Sequence, residues 1–147
     1  MNVVVTPSLQ QRIFEEMVAS YPNEGGGFLF GVLEDGAVRV ADVTRVENIY
    51  PTEEQYHRYA MTPQDWVRLE DQAEASGYSL VGYYHSHPDS PAIPSVFDRD
   101  HALPNFVYII TSVREGQARE MRVWQLQADR TQFAEETLVV NSAGEAS

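Results

Sequence analysis

The last third of the chain contains three strand-like segments with no helical segment between them. These segments, residues 106–113, 121–127 and 133–140, are rich in β-branched and aromatic residues. Parallel neighbours need a crossover connection, usually a helix, and these segments have none between them. A doubly wound parallel sheet is therefore the weaker alternative, and a mixed sheet covered by helices is favoured.

Two helices are predicted nearer the start of the chain, and each opens with a Thr-Pro pair that supplies an N-cap and a proline at the first helical position. The first helix spans residues 7–20, and the second begins at Thr62-Pro63 and should end at Gly77. Apolar residues at helical spacing mark the faces expected to be buried: Leu9, Ile13, Phe14, Met17 and Val18 in the first helix, and Trp66, Leu69 and Ala73 in the second.

Strands and turns account for most of the remaining sequence. We predict strands at 2–5 and 78–85, a hairpin of 27–33 and 37–46 around Glu34-Asp35-Gly36, loops at 47–59 and 88–94, and a short helix at 95–101. This order predicts an α/β fold of the α+β sandwich type, in which helices flank a mixed β-sheet. We expect a single domain over residues 1–140 and a disordered tail at 141–147.

Composition limits the functions open to the chain. A length of 147 residues suits one domain, and no apolar run approaches the roughly 18 residues of a membrane span. Because the first residues also lack a secretion signal, a soluble cytoplasmic protein without a membrane partner is expected. The net charge of -12, with arginine as every basic residue, argues against a nucleic-acid partner and predicts stabilisation by salt. Without cysteine, any zinc must be held by imidazole and carboxylate.

His85 and His87 stand two residues apart at the end of a predicted strand. Side chains alternate across a strand, so the two imidazoles project from the same face and can hold one ion. The opening turn of the next short helix brings Asp98 back towards them, and Ser95 precedes it by three residues. Two imidazoles and one carboxylate leave a zinc ion with an open position, as in catalytic sites. Taken separately, the histidines are more often a surface pair, and Ser95 with Asp98 also fits a capping box.

The combined pattern His85-x-His87-x7-Ser95-x2-Asp98 resembles the motif of the JAMM (MPN+) zinc metalloprotease family. Upstream, residues 24–31 read Glu-Gly-Gly-Gly-Phe-Leu-Phe-Gly and fit the family's Glu-x-x-Gly-x-Leu-x-Gly segment at each fixed position. The predicted order of elements is also similar to that of an MPN/JAB-like domain over residues 1–140. The resemblance implies a cytidine-deaminase-like fold with helices around a mixed sheet.

The resemblance also implies roles for these residues. His85, His87 and Asp98 become ligands of Zn²⁺, and Glu24 becomes the base that takes a proton from the attacking water and returns it to the leaving amine. Ser95 would donate a hydrogen bond to the oxyanion. At this compact size the chain resembles the stand-alone prokaryotic members. This resemblance implies that the substrate and partner is a ubiquitin-like or β-grasp sulfur-carrier protein, which is cut after its C-terminal Gly-Gly.

Three other functions remain to be weighed. A catalytically silent MPN scaffold would usually lack a ligand, and a RadC-like relative would have Asn where Ser86 stands. A cytidine-deaminase-like zinc enzyme would need a Cys-x-x-Cys pair, which this chain lacks. Other polar and aromatic residues carry weaker expectations: His57 and His101 as solvated or capping, Asp89 and Asp100 as neighbours that tune the site, and Phe28, Phe30, Tyr83 and Tyr84 as core and cleft lining.

Overall fold

A computed structural model describes residues 1–46, 63–102 and 106–141. The strands in these ranges are β1 (Asn2–Val5), β2 (Gly26–Glu34), β3 (Ala37–Val46), β4 (Ser79–Pro88), β5 (Val107–Arg114), β6 (Gln117–Leu126) and β7 (Phe133–Val140). The helices are α1 (Pro7–Ser20), α2 (Pro63–Ala75) and α3 (Val96–His101). The predicted loop 47–59 and the tail beyond Asn141 lie outside the described residues, so both stay predictions. None of the described helices is long and apolar enough to cross a membrane.

The strands form one mixed sheet in the order β1-β3-β2-β4-β5-β6-β7, which closes into a barrel. β1 runs parallel to both β3 and β7, and β4 runs parallel to β5. The other neighbours are antiparallel, including the last three strands of the chain. The α+β fold with a mixed sheet is therefore confirmed. Closure by the four-residue β1 is a detail that the sequence did not indicate.

Helix α1 begins where its Thr-Pro pair predicted. The Thr6 hydroxyl accepts a hydrogen bond from the Leu9 amide at 3.2 Å, which satisfies one of the amides left open at a helix start. Leu9, Ile13 and Met17 are buried against the barrel at a spacing of four residues. Val18 was also expected on the buried face, but 37% of its surface is exposed. The buried face of α1 is therefore narrower than the sequence predicted.

Strand β2 lies between two helices. Its Leu29 joins the core cluster that contains the buried residues of α1, whereas Phe28 and Phe30 pack with Leu69 and Ala73 of α2. Alternate side chains therefore enter cores on opposite faces of the sheet. This arrangement explains why the buried part of β2 is apolar without interruption. The first residues of β2 therefore lie deep in the fold.

Two strands extend three or four residues beyond a predicted end. β4 continues through His87 and Pro88, because these residues pair with Ser112 and Val113 of β5. β6 begins at Gln117, immediately after a tight turn in which Glu115 and Gly116 have φ values of 51° and 78°. The extension of β4 matters for function, because it places both histidines inside the strand, where His85 pairs with Gly26 and Ile110 and His87 pairs with Ser112.

Candidate metal centre and active site

The two histidines project from the same face of β4, as their spacing predicted. His85 is 2% exposed and His87 is 8% exposed, and their Nε2 atoms lie 3.2 Å apart. The backbone of β4 is hydrogen-bonded to β2 on one side and to β5 on the other. The sheet therefore holds the two imidazoles close together with little freedom to separate.

Helix α3 brings the third polar group to this pair. One carboxylate oxygen of Asp98 lies 3.1 Å from Nε2 of His85, and the other lies 3.0 Å from Nε2 of His87. The side chain of Asp98 is only 11% exposed. One ligand atom from each of the three residues can be chosen so that all lie within 4.8 Å of one another. The structure thus brings together the three residues that the sequence proposed as ligands.

Asp98 also caps its own helix. Its carboxylate accepts the Ser95 amide at 2.8 Å, while the Ser95 hydroxyl oxygen accepts the Asp98 amide at 3.0 Å, which is a capping box. The capping alternative weighed from the sequence is therefore realised together with the site, because the carboxylate contacts the amide and the histidines at the same time. Ser95 is exposed, and its hydroxyl oxygen accepts the capping hydrogen bond. The cap therefore does not use the hydroxyl hydrogen, which can be donated to another group.

The surroundings of the histidines fit a divalent cation such as zinc. His87 Nδ1 lies 2.8 Å from the Pro91 carbonyl, which holds the proton on Nδ1 and leaves the Nε2 lone pair facing Asp98 and His85. His85 Nδ1 is buried without a hydrogen-bond partner among the described residues. Two imidazole nitrogens and a carboxylate are a donor set that zinc accepts in catalytic sites.

Electrostatics in the metal-free chain follow from this proximity. Burial by itself raises the pKa of Asp98, but the charge and hydrogen bond of His85, with those of His87, more than offset it and hold that pKa far below its usual value. Burial lowers the pKa of His87, and the hydrogen bond and charge of Asp98, with the Pro91 carbonyl, raise it above its usual value overall. Both shifts reflect the attraction between the Asp98 carboxylate and the imidazoles beside it.

Glu24 lies just before β2 and is only 6% exposed. Burial, and then repulsion by the charge of Asp98, raise the pKa of Glu24 well above its usual value. The register pairs Gly26 with His85, and Gly25 is hydrogen-bonded to Ser86, so the segment that carries Glu24 lies against the histidine strand. The group assigned as base by resemblance is therefore buried beside the candidate metal centre.

Ser86 connects the Glu24 segment to the histidine strand. Its amide donates to the Gly25 carbonyl at 3.0 Å, and its hydroxyl oxygen accepts the Gly25 amide at 3.0 Å. A Cβ atom at Gly25 would collide with the Ser20 hydroxyl, so glycine is needed where this segment passes the end of α1. Sequence reasoning did not assign Ser86 this role. The available signal was its place between two same-face histidines, which turns its side chain to the opposite face.

The remaining candidates differ in what the structure describes. His57 lies outside the described residues, as do the side chains of Asp100 and His101. Asp89 contacts Tyr21 at 2.7 Å and the Glu115 amide at 2.9 Å, so it fastens the chain after β4 to α1 and the β5–β6 turn. The aromatic residues expected as core or cleft lining are buried or half-buried: Phe28, Phe30 and Tyr84 are buried, and Tyr83 lies beside His85 with ring centroids 5.4 Å apart.

Comparison with known families agrees with this fold. The sequence profile of Prok-JAB, described as prokaryotic homologs of the JAB domain, matches residues 6–127. The match covers both ends of the candidate site, from the Glu24 segment to Asp98 and beyond. The chain belongs to this family.

Three curated relatives illustrate its range. The chain is 27% identical to a protein named desampylase from Pyrococcus furiosus over 139 residues, which cover 95% of this chain and 91% of that protein. A desampylase from Haloferax volcanii is 42% identical over 55 residues, 37% of this chain and 40% of that protein. A Thermus thermophilus protein named "Probable TtuB-protein conjugate cleaving protease" is 29% identical over 106 residues, 72% of this chain and 67% of that protein.

A solved structure supports the same architecture over the full length. The solution structure of a Salinibacter ruber protein superposes with a TM-score of 0.74 at 38% sequence identity. The alignment covers 100% of this chain and 95% of the other.

Proposed function

We propose that this chain is a zinc-dependent peptidase or isopeptidase that hydrolyses the amide bond after the C-terminal Gly-Gly of a ubiquitin-like or sulfur-carrier protein. The observation that carries the proposal is the convergence of His85, His87 and Asp98 beside a buried Glu24. The names of the Pyrococcus, Haloferax and Thermus relatives support the substrate class. A scaffold that only binds partners would not require this complete set.

His85, His87 and Asp98 would hold the ion through two Nε2 atoms and a carboxylate oxygen. Bound zinc supplies Lewis acidity, which lets water attack at neutral pH and polarises the scissile carbonyl. Glu24 takes the proton of the attacking water and delivers it to the leaving nitrogen, which completes the cleavage without free acid or base. A group that both accepts and donates protons works best with a pKa near the ambient pH, and burial, which raises the pKa of Glu24 in the metal-free chain, acts in that direction.

Ser95 would act on the other side of the reacting carbon. Its hydroxyl is exposed at the start of α3, three residues before Asp98, so its hydrogen can be donated to the carbonyl oxygen that becomes negative. Such a donor stabilises the transition state more than the substrate, because charge develops on that oxygen during attack.

The first test combines metal analysis with cleavage. Purified protein should contain one zinc per chain and should cut a β-grasp carrier that ends in Gly-Gly plus a short extension, with the cut located by mass spectrometry. Glu24→Gln is the matched control: it should keep zinc while turnover falls by about 10²–10⁴-fold, because an amide cannot carry the proton. Zinc-free protein with full activity, or a Glu24→Gln variant at the wild-type rate, would contradict the proposal.

Tail selectivity is tested with three substrates. Glycine lets the substrate backbone come close to the reacting groups, so the Gly-Gly carrier should be cut faster than the same carrier with Ala-Ala. The whole carrier should also be cut faster than its isolated tail peptide, because docking of the folded carrier supplies affinity that two glycines cannot. Equal rates for Gly-Gly and Ala-Ala would refute the tail selectivity, and equal rates for carrier and peptide would refute the docking.

A further inference from the structure

Three successive backbone carbonyls after β4 each receive a side-chain donor. The Ser112 hydroxyl donates to the Ser90 carbonyl at 2.6 Å, His87 Nδ1 contacts the Pro91 carbonyl at 2.8 Å, and Trp124 Nε1 donates to the Ala92 carbonyl at 3.0 Å. The middle carbonyl orients a candidate metal ligand. The two outer carbonyls are held by residues of strands that contribute no ligand.

The outer donors are firmly placed. Ser112 is 2% exposed and lies opposite His87 in the register of β4 and β5. Trp124 is on β6, where the register places it opposite Tyr108 of β5. The barrel therefore fixes both donors independently of the loop that they hold.

Trp124 also connects to the helix that carries Asp98. Its ring packs against the core cluster of Ala102, Tyr108 and Leu126, and Ala102 is the C-cap residue of α3. Trp124 thus donates to the loop after the histidines through its nitrogen and packs against the cluster that includes the end of the Asp98 helix. These two segments complete the site around β4.

We propose that Ser112 and Trp124 are positioning residues of the metal centre. By holding the carbonyls of Ser90 and Ala92, they fix the Pro91 carbonyl between them. That carbonyl keeps the proton of His87 on Nδ1 and its Nε2 lone pair available. The inference rests on the proposed zinc-dependent function. Partners of ligand histidines typically change metal affinity by about 10–100-fold, and these residues act one contact further away, so we expect about tenfold for each.

The test uses the full chain with Trp124→Phe and Ser112→Ala, each of which removes one donor and keeps most of the packing. Zinc affinity, measured by competition with a chelator, should fall about tenfold in each variant. Turnover at saturating zinc should fall by less than zinc affinity does, because the loaded site still contains every reacting group. Nitrogen NMR of the histidine rings in metal-free protein at alkaline pH should show a smaller Nδ1–H population for His87.

The matched control is Thr111→Val on the same strand as Ser112. The Thr111 hydroxyl is buried without a hydrogen-bond partner among the described residues, so its removal tests the loss of a buried hydroxyl that does not touch the loop. It should leave zinc affinity and the His87 tautomer unchanged.

The outcomes separate this inference from the proposed function. Wild-type zinc affinity and an unchanged tautomer in both variants would overturn the positioning role, and so would an equal loss in Thr111→Val. If the wild-type chain bound no zinc, the proposed function would fail, while the tautomer of the metal-free protein would still decide whether Ser112 and Trp124 orient His87. If Trp124→Phe did not fold, Ser112→Ala would decide the same point.

Discussion

The candidate metal centre has two halves that are held in different ways. His85 and His87 belong to β4, a strand paired on both sides, and are nearly inaccessible to solvent. Asp98 belongs to α3, a helix of six residues whose N-cap Ser95 is exposed. The sheet holds the strand half whatever the histidines contact. The helix half depends on contacts of the carboxylate itself, with the Ser95 amide and with both imidazoles.

Removing a ligand should have the largest effect and should expose this difference. His85→Ala, His87→Ala and Asp98→Asn should each lower zinc affinity by at least about a hundredfold, beyond the effect typical of outer contacts. Because the Asn amide oxygen can still accept the Ser95 amide, Asp98→Asn should cost the metal-free fold less than either buried histidine change does. Elemental analysis and thermal melts check both points. Full zinc retention in both histidine variants would remove them from the ligand set.

Ser95→Ala tests the helix half without replacing any of the three proposed metal ligands. The loss of an oxyanion donor should lower kcat by about 10²–10³-fold. The loss of the cap should cost α3 about 0.5–2 kcal/mol, with a modest decrease in zinc affinity through Asp98. Thr6→Ala is the control, because it removes the equivalent cap of α1 and should lower Tm without changing kcat at saturating zinc. Equal kcat values for the two variants would show that Ser95 is only a cap.

The strand half and the start of α3 were predictable because their determinants are local. Alternation along a strand places His85 and His87 on one face, and the capping pattern of residues 95–98 marks a helix start. Glu24 was found only by resemblance, since the contact that places its segment joins Gly25 and Ser86 across 61 residues. Closure of the barrel by β1 depends equally on distant pairing, because Asn2 lies beside Thr137. Local patterns do not specify such partners.

The two halves should also respond differently to pH in metal-free protein. Glu24 and His87 have pKa values raised above their ordinary 4.5 and 6.5, so their stabilising contributions are complete below those values and are lost as pH rises through the raised ones. Asp98 has a lowered pKa, so its contribution is present above its ordinary 3.8 and is lost as pH falls further. Metal-free stability should therefore be highest in mild acid.

Zinc affinity should change in the opposite direction, because the ligand imidazoles must lose their protons. The difference in Tm between zinc-loaded and metal-free protein should thus widen from mildly acidic to neutral pH. Thermal melts across this range, with and without zinc, measure it. A constant difference would contradict the binding of zinc by deprotonated imidazoles.

Salt should have the smallest effect and should act on neither half in particular. With 22 acidic and 10 basic residues, the surface repels itself, and added KCl screens exposed charges more than buried ones. Tm should rise by a few degrees from low to molar KCl, since about 1 kcal/mol corresponds to roughly 4 °C for a chain of this size. Zinc affinity should change little. A flat or falling Tm would leave the lysine-free composition without this explanation.

The capping contact between Asp98 and the Ser95 amide has a consequence for handling the protein. In a zinc finger the ion and the fold form together, and a chelator unfolds the chain. Here the carboxylate is already oriented by its own helix, and the imidazoles by a closed barrel with its own apolar core. Removal and replacement of the metal should therefore leave the fold intact. We expect that zinc can be removed from the chain and replaced by zinc, or by cobalt as a coloured reporter, without a refolding step.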